Sequence, residues 1–156
     1  MIDRLSHFDE AGEARMVDVS GKAVTARSAR AHAFVRMSRQ VIEELKSNPK
    51  GNPLEVARVA GVLAAKRTAD LIPMCHPLPL SFAEVQVQIE SEGVRIHTTA
   101  MTSGQTGVEM EALTAASVAA LTVYDMTKAL DKGIEIQDVY LLEKTGGKSG
   151  TWRRSA

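Results

Sequence analysis

The sequence predicts an α+β protein with a ferredoxin-like split βαβ fold, in which helices pack on one face of a four-stranded antiparallel sheet. The first observation behind this prediction is the order of alternating and helical segments: strand, two helices, strand, strand, helix, strand. The second is a hairpin signal, a short turn (91–93) with a glycine between two alternating segments. The third is the length of 156 residues, which suits one domain with a single core.

The first half of the chain predicts one strand and two helices. RAHAFVRMS (30–38) alternates small apolar residues with Arg, His and Phe, which is typical of a strand. RQVIEELKS (39–47) has helical spacing and stops at the turn cluster NPKGNP (48–53). LEVARVAGVLAAKRTADL (54–71) predicts a second helix with cations near its end. IPMCHPLPL (72–80) then holds three prolines, which exclude a helix and predict a rigid, extended loop.

The second half predicts a hairpin, a long helix and a last strand. AEVQVQIE (83–90) and VRIHTTAMT (94–102) both alternate, and together they form the predicted hairpin. The longest helix is predicted from about Val108 to Lys132, because Gly133 stands in a C-cap position. IEIQDVYLLEK (134–144) is again typical of a strand.

The chain is predicted to consist of a mobile N-terminal arm (1–20), one catalytic domain (21–145) and a flexible basic tail (146–156). The tail contains a Gly-Lys-Ser sequence like the end of a P-loop. A P-loop is disfavoured, because Leu142 stands where it needs a glycine and only eight residues remain after Lys148 for the following helix. The tail is therefore either solvated chain or a basic flap that becomes ordered on a polyphosphate.

The composition excludes several classes of protein. Lys plus Arg and Asp plus Glu are equal at 19 each, so no bulk charge attracts nucleic acid or a membrane surface. No segment approaches the roughly 20 apolar residues of a membrane span, and the first residues lack the apolar run of a signal peptide. A single cysteine, Cys75, excludes an internal disulfide and favours a reducing compartment. We therefore expect a cytoplasmic protein.

The long helix carries a candidate acid–base pair. Asp125 and Lys128 are three residues apart and continue the apolar face of Val118 and Leu121, so we expect partial burial and pKa values moved towards neutrality. The alternative is a surface salt bridge at the helix end. Glu111 lies 14 residues before Asp125, about 21 Å along a helix, which is too far for one small reacting centre. Either one set is structural or two copies of the helix complete a site, and the small residues of this helix favour the oligomer.

The proline-rich loop supplies two further candidates. Cys75 and His76 make a weak metal site because no second Cys or His stands at ligand spacing, and neighbouring side chains of an extended chain point apart. The same geometry disfavours a Cys–His nucleophile, so we expect a packing role for Cys75 and a ligand contact for His76. Arg27, Lys50 and Lys66 are each typical of surface charge, but together they supply the cations that a triphosphate requires.

Three long segments carry a family resemblance: KRTADLIPMCHPLPL, TGVEMEALTAASVAALTVYDMTKA and KTGGKSG. They resemble the cyclic pyranopterin monophosphate synthases, the accessory protein C family of molybdenum-cofactor biosynthesis, and MVDVSGKA (16–23) resembles that family's N-terminal arm. The resemblance implies a lyase that rearranges 3',8-cyclo-7,8-dihydro-GTP, made from GTP by an upstream radical enzyme, to cyclic pyranopterin monophosphate and pyrophosphate. It also implies a homohexamer of three dimers with the active site at the dimer interface. The resemblance implies no required cofactor, and it leaves open whether Mg²⁺ accompanies the triphosphate.

By motif match, Asp125 and Lys128 are the predicted catalytic acid–base pair, and Thr127 stands between them where some relatives carry cysteine. The hypothesis is that this pair moves protons. The other predicted substrate-site residues are Met74, Cys75, His76, Met110, Glu111, Arg27, Lys50, Lys66 and Lys144. Of the basic residues, Arg27, Lys66 and Lys144 would grip the triphosphate. The alternative function is a non-catalytic nucleotide-binding oligomeric sensor, and a cysteine hydrolase ranks third.

Overall fold

The computed structural model describes residues 5–49 and 51–156, and in this part of the chain five strands and four helices form. In chain order they are β1 (Thr25–Arg36), α1 (Arg39–Ser47), α2 (Pro53–Lys66), α3 (Thr68–Leu71), β2 (Leu80–Glu90), β3 (Gly93–Gly104), α4 (Glu109–Thr127), β4 (Glu135–Thr145) and β5 (Trp152–Arg153). Among the same residues, no helix combines the length and apolarity needed to cross a bilayer.

The strands form one antiparallel sheet in the order β2-β3-β1-β4-β5. The predicted α+β class with an antiparallel sheet is therefore confirmed. The predicted count of four strands is wrong, because the tail adds β5 to the edge of β4. The Arg154 amide donates to the Leu142 carbonyl at 2.9 Å, and Arg153 Nε donates to Glu143 Oε2 at 2.7 Å.

One face of the sheet carries the helices. α2 and α4 lie side by side, and α4 also contacts β1, β3 and β4. Thr98 of β3 donates its hydroxyl to the Ala112 carbonyl of α4 at 2.7 Å, which joins the two layers directly. Alternate side chains of β1 are buried on this face because a half-buried strand repeats every two residues. They are Ala29, Ala31, Ala33 and Val35.

The element boundaries differ most from the prediction at three places. β1 begins at Thr25 rather than Arg30, because residues 25–29 still pair with residues 100–104 of β3. The predicted helix 54–71 is two helices, since the backbone leaves the helical region at Arg67 (φ −110°, ψ 13°). The long helix ends at Thr127 rather than Lys132, and the residues beyond it form a turn that the Tyr124 hydroxyl ties down by donating to the Lys132 carbonyl at 3.0 Å.

The N-terminal segment has little regular structure in its described part. Residues 5–20 form turns and one antiparallel bridge between Phe8 and Ala14. The predicted division into arm, domain and tail stays a prediction, as does the mobility of the arm and of the tail.

Gly61 of α2 packs tightly against α4 and β2, and replacing it with alanine should destabilise the protein. An added Cβ would lie 2.7 Å from Val85 Cγ2, 3.1 Å from the Ala115 carbonyl oxygen and 3.3 Å from Ala119 Cβ. Alanine gains about 1 kcal/mol in helix propensity, but overpacking a core costs about 1–3 kcal/mol. In urea unfolding, we expect the free energy of unfolding of Gly61→Ala to be about 1 kcal/mol lower than that of the natural chain.

The neighbouring change Ala60→Gly serves as the control, because it measures the propensity difference in this helix away from that contact. If Gly61→Ala were more stable than the natural chain, the packing explanation would be wrong.

Candidate active site

A cavity of about 610 Å³, here called the loop cavity, opens between the proline-rich loop, the start of α4 and the N-terminal segment. The prolines exclude helix from this loop, and Thr102 Oγ1 anchors its end by donating to the Pro79 carbonyl at 2.7 Å. The structure brings six of the predicted substrate-site residues to its wall, although their roles stay predictions. They are Arg27, Met74, Cys75, His76, Met110 and Glu111.

The loop cavity contains a carboxyl that titrates near neutral pH. Glu111 lies in the first turn of α4 and is only 4% exposed. Burial raises the pKa of Glu111 to about 7, and the neighbouring Glu109 carboxylate adds to this increase. Burial, followed by the Glu111 carboxyl, also raises the pKa of the Cys75 thiol. Near neutral pH this wall therefore holds a carboxyl that can give or take a proton and an unreactive thiol, which argues against a cysteine hydrolase.

A second cavity of about 850 Å³, here called the basic cavity, adjoins the first, because Lys22 and Arg27 line both. Arg27 is fixed in place, since Nε donates to the Gly104 carbonyl at 3.0 Å and Nη2 donates to the Gln105 carbonyl at 3.2 Å. Gly147 makes room for this guanidinium: its φ is +75°, and an added Cβ would lie 2.2 Å from Arg27 Nη1. The other lining residues are Ala23, Thr25, Lys148 and Ser149.

The described lining of the basic cavity contains three cations, Lys22, Arg27 and Lys148, and no carboxylate. Clustered ammonium and guanidinium groups bind phosphates through charge-assisted hydrogen bonds. The site is therefore built for a ligand with a negatively charged end in the basic cavity and a less charged body in the loop cavity.

The remaining predicted cations have different positions. Lys144 lies at the end of β4 and donates from Nζ to the Ser149 hydroxyl, so it holds one residue of the basic cavity without lining it. Lys66 is exposed at the end of α2 and lines neither cavity. Lys50 lies outside the described residues.

Asp125 and Lys128 are at the opposite end of α4. Their side chains are 66% and 54% exposed, and Lys128 Nζ donates to Asp125 Oδ1 at 2.6 Å. The expected partial burial is wrong for the single chain, because the apolar face that the pair continues points outward, with Leu121 56% exposed. The expected movement of the Lys128 pKa towards neutrality is also wrong there, since the bound Asp125 carboxylate raises the pKa of Lys128. The separation of about 21 Å from Glu111 keeps the pair away from the loop cavity of its own chain.

The predicted substrate-site set omitted two cations. Lys22 lines both cavities, and Lys148 lines the basic cavity. The available signal for Lys22 was its position five residues before Arg27, directly ahead of β1. In residues 5–49 and 51–156, no three His, Cys, Asp or Glu side chains are grouped so that they could hold a metal ion. The absence of a resident metal stays a prediction.

Comparison with known proteins identifies the family. Residues 16–147, most of the chain, match the MoaC family. The chain belongs to the MoaC family. Its relatives include proteins named cyclic pyranopterin monophosphate synthase. The one from Streptomyces avermitilis is 59% identical over 155 residues, which are 98% of this chain and 91% of the relative. The one from Streptomyces coelicolor is 58% identical with the same coverage, and that from Novosphingobium aromaticivorans is 54% identical over 151 residues, 96% of each chain.

The predicted family resemblance is thus confirmed, and parts of the three segments that carried it lie at the two cavities. In this MoaC-family chain the PMCHPL segment (73–78) and the GVEME segment (107–111) meet at the loop cavity. The TGGKS segment (145–149) forms part of the basic cavity. The YDMTKA segment (124–129) is the exception, because it lies at the far end of α4.

Proposed function

We propose that this chain is a cyclic pyranopterin monophosphate synthase, which rearranges 3',8-cyclo-7,8-dihydro-GTP to cyclic pyranopterin monophosphate and releases pyrophosphate. The observation that carries the proposal is the pair of adjoining cavities, one cationic and one with a titratable carboxyl, joined at Lys22 and Arg27. The names of the relatives support it. The substrate has the matching form, a triphosphate attached to a fused purine-derived ring system.

The loop cavity would hold the ring system. Opening the cyclised purine and closing it as a pterin requires repeated proton transfers at ring nitrogen atoms, which general acids and bases accelerate. Glu111, with its pKa near 7, can act in either direction at neutral pH. His76 and Met110 line the same cavity and would orient the ring.

The basic cavity would hold the triphosphate. In the cyclisation step a substrate hydroxyl oxygen attacks the α-phosphorus, the bond from that phosphorus to the bridging oxygen breaks, and pyrophosphate leaves. Arg27, Lys22 and Lys148 would stabilise the charge that develops on the leaving group. The hydroxyl proton needs an acceptor, and we assign that role to the pair of Asp125 and Lys128.

This assignment requires a second protomer, because within one chain the pair is at the wrong end of α4. Two α4 helices running antiparallel about a two-fold axis would bring the Lys128 end of one beside the Glu111 end of the other. The outer surface of the helical layer has the apolar side chains that such an interface needs. Those on α2 and α4 are Val56, Val59, Leu63, Leu121 and Met126, each more than 40% exposed. Three such dimers would form the proposed homohexamer.

The dimer would also change the chemistry of Lys128. In the single chain Asp125 raises the pKa of Lys128. Placing Lys128 beside the cations of the neighbouring basic cavity, and removing water from it, would disfavour its charged form. Assembly would in this way lower the pKa of Lys128 and make its ammonium group a better proton donor.

Finer features of the fold and context complete the proposal. The strand order β4-β1-β3-β2, read from the β5 side, matches a ferredoxin-like split βαβ sheet to which β5 is added at one edge. The single cysteine suits a reducing compartment, so we place the enzyme in the cytoplasm, where a radical GTP cyclase would supply its substrate. The reaction itself is a rearrangement followed by an intramolecular displacement at phosphorus, for which we propose no resident cofactor.

The proposal predicts that the purified protein forms pyrophosphate and cyclic pyranopterin monophosphate together when it is given the cyclised GTP. Pyrophosphate would be followed with a coupled phosphate assay and the pterin by mass spectrometry. Parallel reactions in EDTA and in Mg²⁺ would show whether the ion accompanies the triphosphate. Binding of the substrate without pyrophosphate release would instead support the nucleotide sensor.

A further inference from the structure

The residues of the tail in the basic cavity belong to a hairpin. β4 and β5 pair at Glu143 with Arg153 and at Lys144 with Trp152, the Arg154 amide adds its bond to the Leu142 carbonyl, and the turn of residues 145–151 joins the strands. Lys148 of this turn lines the basic cavity. The turn contains three glycines with positive φ values, Gly146 (+89°), Gly147 (+75°) and Gly150 (+64°). The position of Lys148 therefore depends on what holds β5.

The two ladder pairs of β5 and the bond from the Arg154 amide to the Leu142 carbonyl hold only a short edge strand. The ion pair of Arg153 with Glu143 has a distance of 2.7 Å, but the Arg153 side chain is 74% exposed, where such pairs contribute little. A further contact follows directly: the Arg154 guanidinium carbon lies 4.2 Å from the centroid of the Tyr140 ring. Cation–π contacts of this geometry stabilise the docked arrangement even at exposed sites.

The Tyr140 ring packs against a buried imidazole, that of His32. The two rings stack with centroids 4.6 Å apart and planes 9° apart, and His32 is only 3% exposed. His32 Nδ1 lies 2.8 Å from the Asp138 carbonyl oxygen, so this nitrogen carries the proton and donates it. Nε2 then accepts from Arg95 Nη1 at 3.0 Å. Both ring nitrogens are thus satisfied, and the imidazole cannot turn.

This stack lies on the sheet face away from the helices. The alternation of β1 places His32 opposite to the buried residues that face α4, and none of His32, Tyr140 and Arg154 lines either cavity of the candidate site. The stack can therefore influence the basic cavity only through the hairpin.

We propose that Tyr140 and Arg154 are positioning residues: their stack on His32 anchors β5 and thereby holds the turn with Lys148 over the basic cavity. The proposal rests on the proposed function, because it takes the ligand of that cavity to be a polyphosphate. Without the anchor the turn would be held less firmly, because the bond from Lys144 Nζ to the Ser149 hydroxyl would be left to position it, and ordering it would oppose binding.

The test uses Trp152, the only tryptophan of the chain, which lies in β5 between the turn and Arg154. Its fluorescence would be followed while inorganic triphosphate is added to the full-length protein. Arg154→Ala should bind triphosphate about two- to five-fold more weakly, the range expected for an exposed cation–π contact. Arg154 is exposed at the end of the chain, so this change leaves the core intact.

Matched variants separate anchoring from direct phosphate contact. Tyr140→Phe and Arg154→Lys keep the ring and the cation respectively, and should bind triphosphate nearly as the natural chain does. Tyr140→Leu should weaken binding as much as Arg154→Ala, and the double variant should be no weaker than either single one. If Arg154 touches the phosphate directly, only its own replacement will weaken binding, and the anchoring proposal is overturned.

A second readout distinguishes this proposal from the proposed function. Acrylamide quenching of Trp152 without ligand measures docking of β5, and it should increase in Arg154→Ala and Tyr140→Leu. If the natural chain does not bind triphosphate, the polyphosphate site and the anchor proposal both fail, whatever the quenching shows. If it binds, and Arg154→Ala binds equally well, the anchor proposal alone is wrong.

Discussion

Lys128→Ala should lower turnover of the cyclised GTP by about 10²- to 10⁴-fold, the usual contribution of a positioned acid or base. The side chain is 54% exposed and contacts Asp125, so its removal should leave the fold of the protomer unchanged. Lys132 is a matched control, since it is an exposed lysine just beyond the same helix end and has no proposed role. Lys132→Ala should keep normal turnover, and equal losses in both variants would point to a general charge effect.

The same variant tests whether the active site is shared between protomers. Arg27→Ala should also be inactive, because it removes one of the two cations that line both cavities. When Lys128→Ala and Arg27→Ala chains are co-expressed, half of the dimers are mixed and each contains one intact site, so about a quarter of the normal activity should return. Differently tagged chains, purified through both tags, would prove that mixed oligomers formed. If such oligomers stay inactive, Arg27 and Lys128 do not act across an interface.

The regular part of the fold was predictable because burial imposes a period. The alternation of Ala31, Ala33 and Val35 predicts a strand, since one face of β1 meets the helices. β5 was not predictable in this way, because two residues cannot show a period and their pairing depends on contacts with β4. The break at Arg67 is likewise a local change of backbone angle inside a continuous helical pattern.

The candidate site was predictable only as a set of motifs. The separation of Glu111 from Asp125 follows from helix rise alone, and it correctly places the two at opposite ends of α4. The burial of Glu111 was not predictable, because it depends on the proline-rich loop folding over the start of the helix. The expected burial of Asp125 was wrong, because an apolar helix face does not show which chain will cover it. Leu121 on that face is exposed in the single chain.

Glu111→Gln should make the free energy of unfolding of the protein less dependent on pH. Burial raises the pKa of Glu111 from 4.5 to about 7, so the folded state binds this proton more tightly than the unfolded state. The stabilising effect is complete below about pH 4.5 and is lost as the pH rises towards about 7. Between about pH 5 and about pH 8, the free energy of unfolding of the natural chain should fall by about 2 to 3 kcal/mol relative to that of Glu111→Gln.

Urea unfolding at one fixed protomer concentration would measure this difference, because the stability of an oligomer changes with concentration. Glutamine is the appropriate replacement, since it keeps the size of the side chain and stays neutral. A carbon-13 titration of the Glu111 carboxyl gives an independent value, and its midpoint should lie near pH 7. A midpoint near the ordinary value would mean that this carboxylate is solvated, and the loop cavity would then lack the group proposed to exchange protons with the substrate ring.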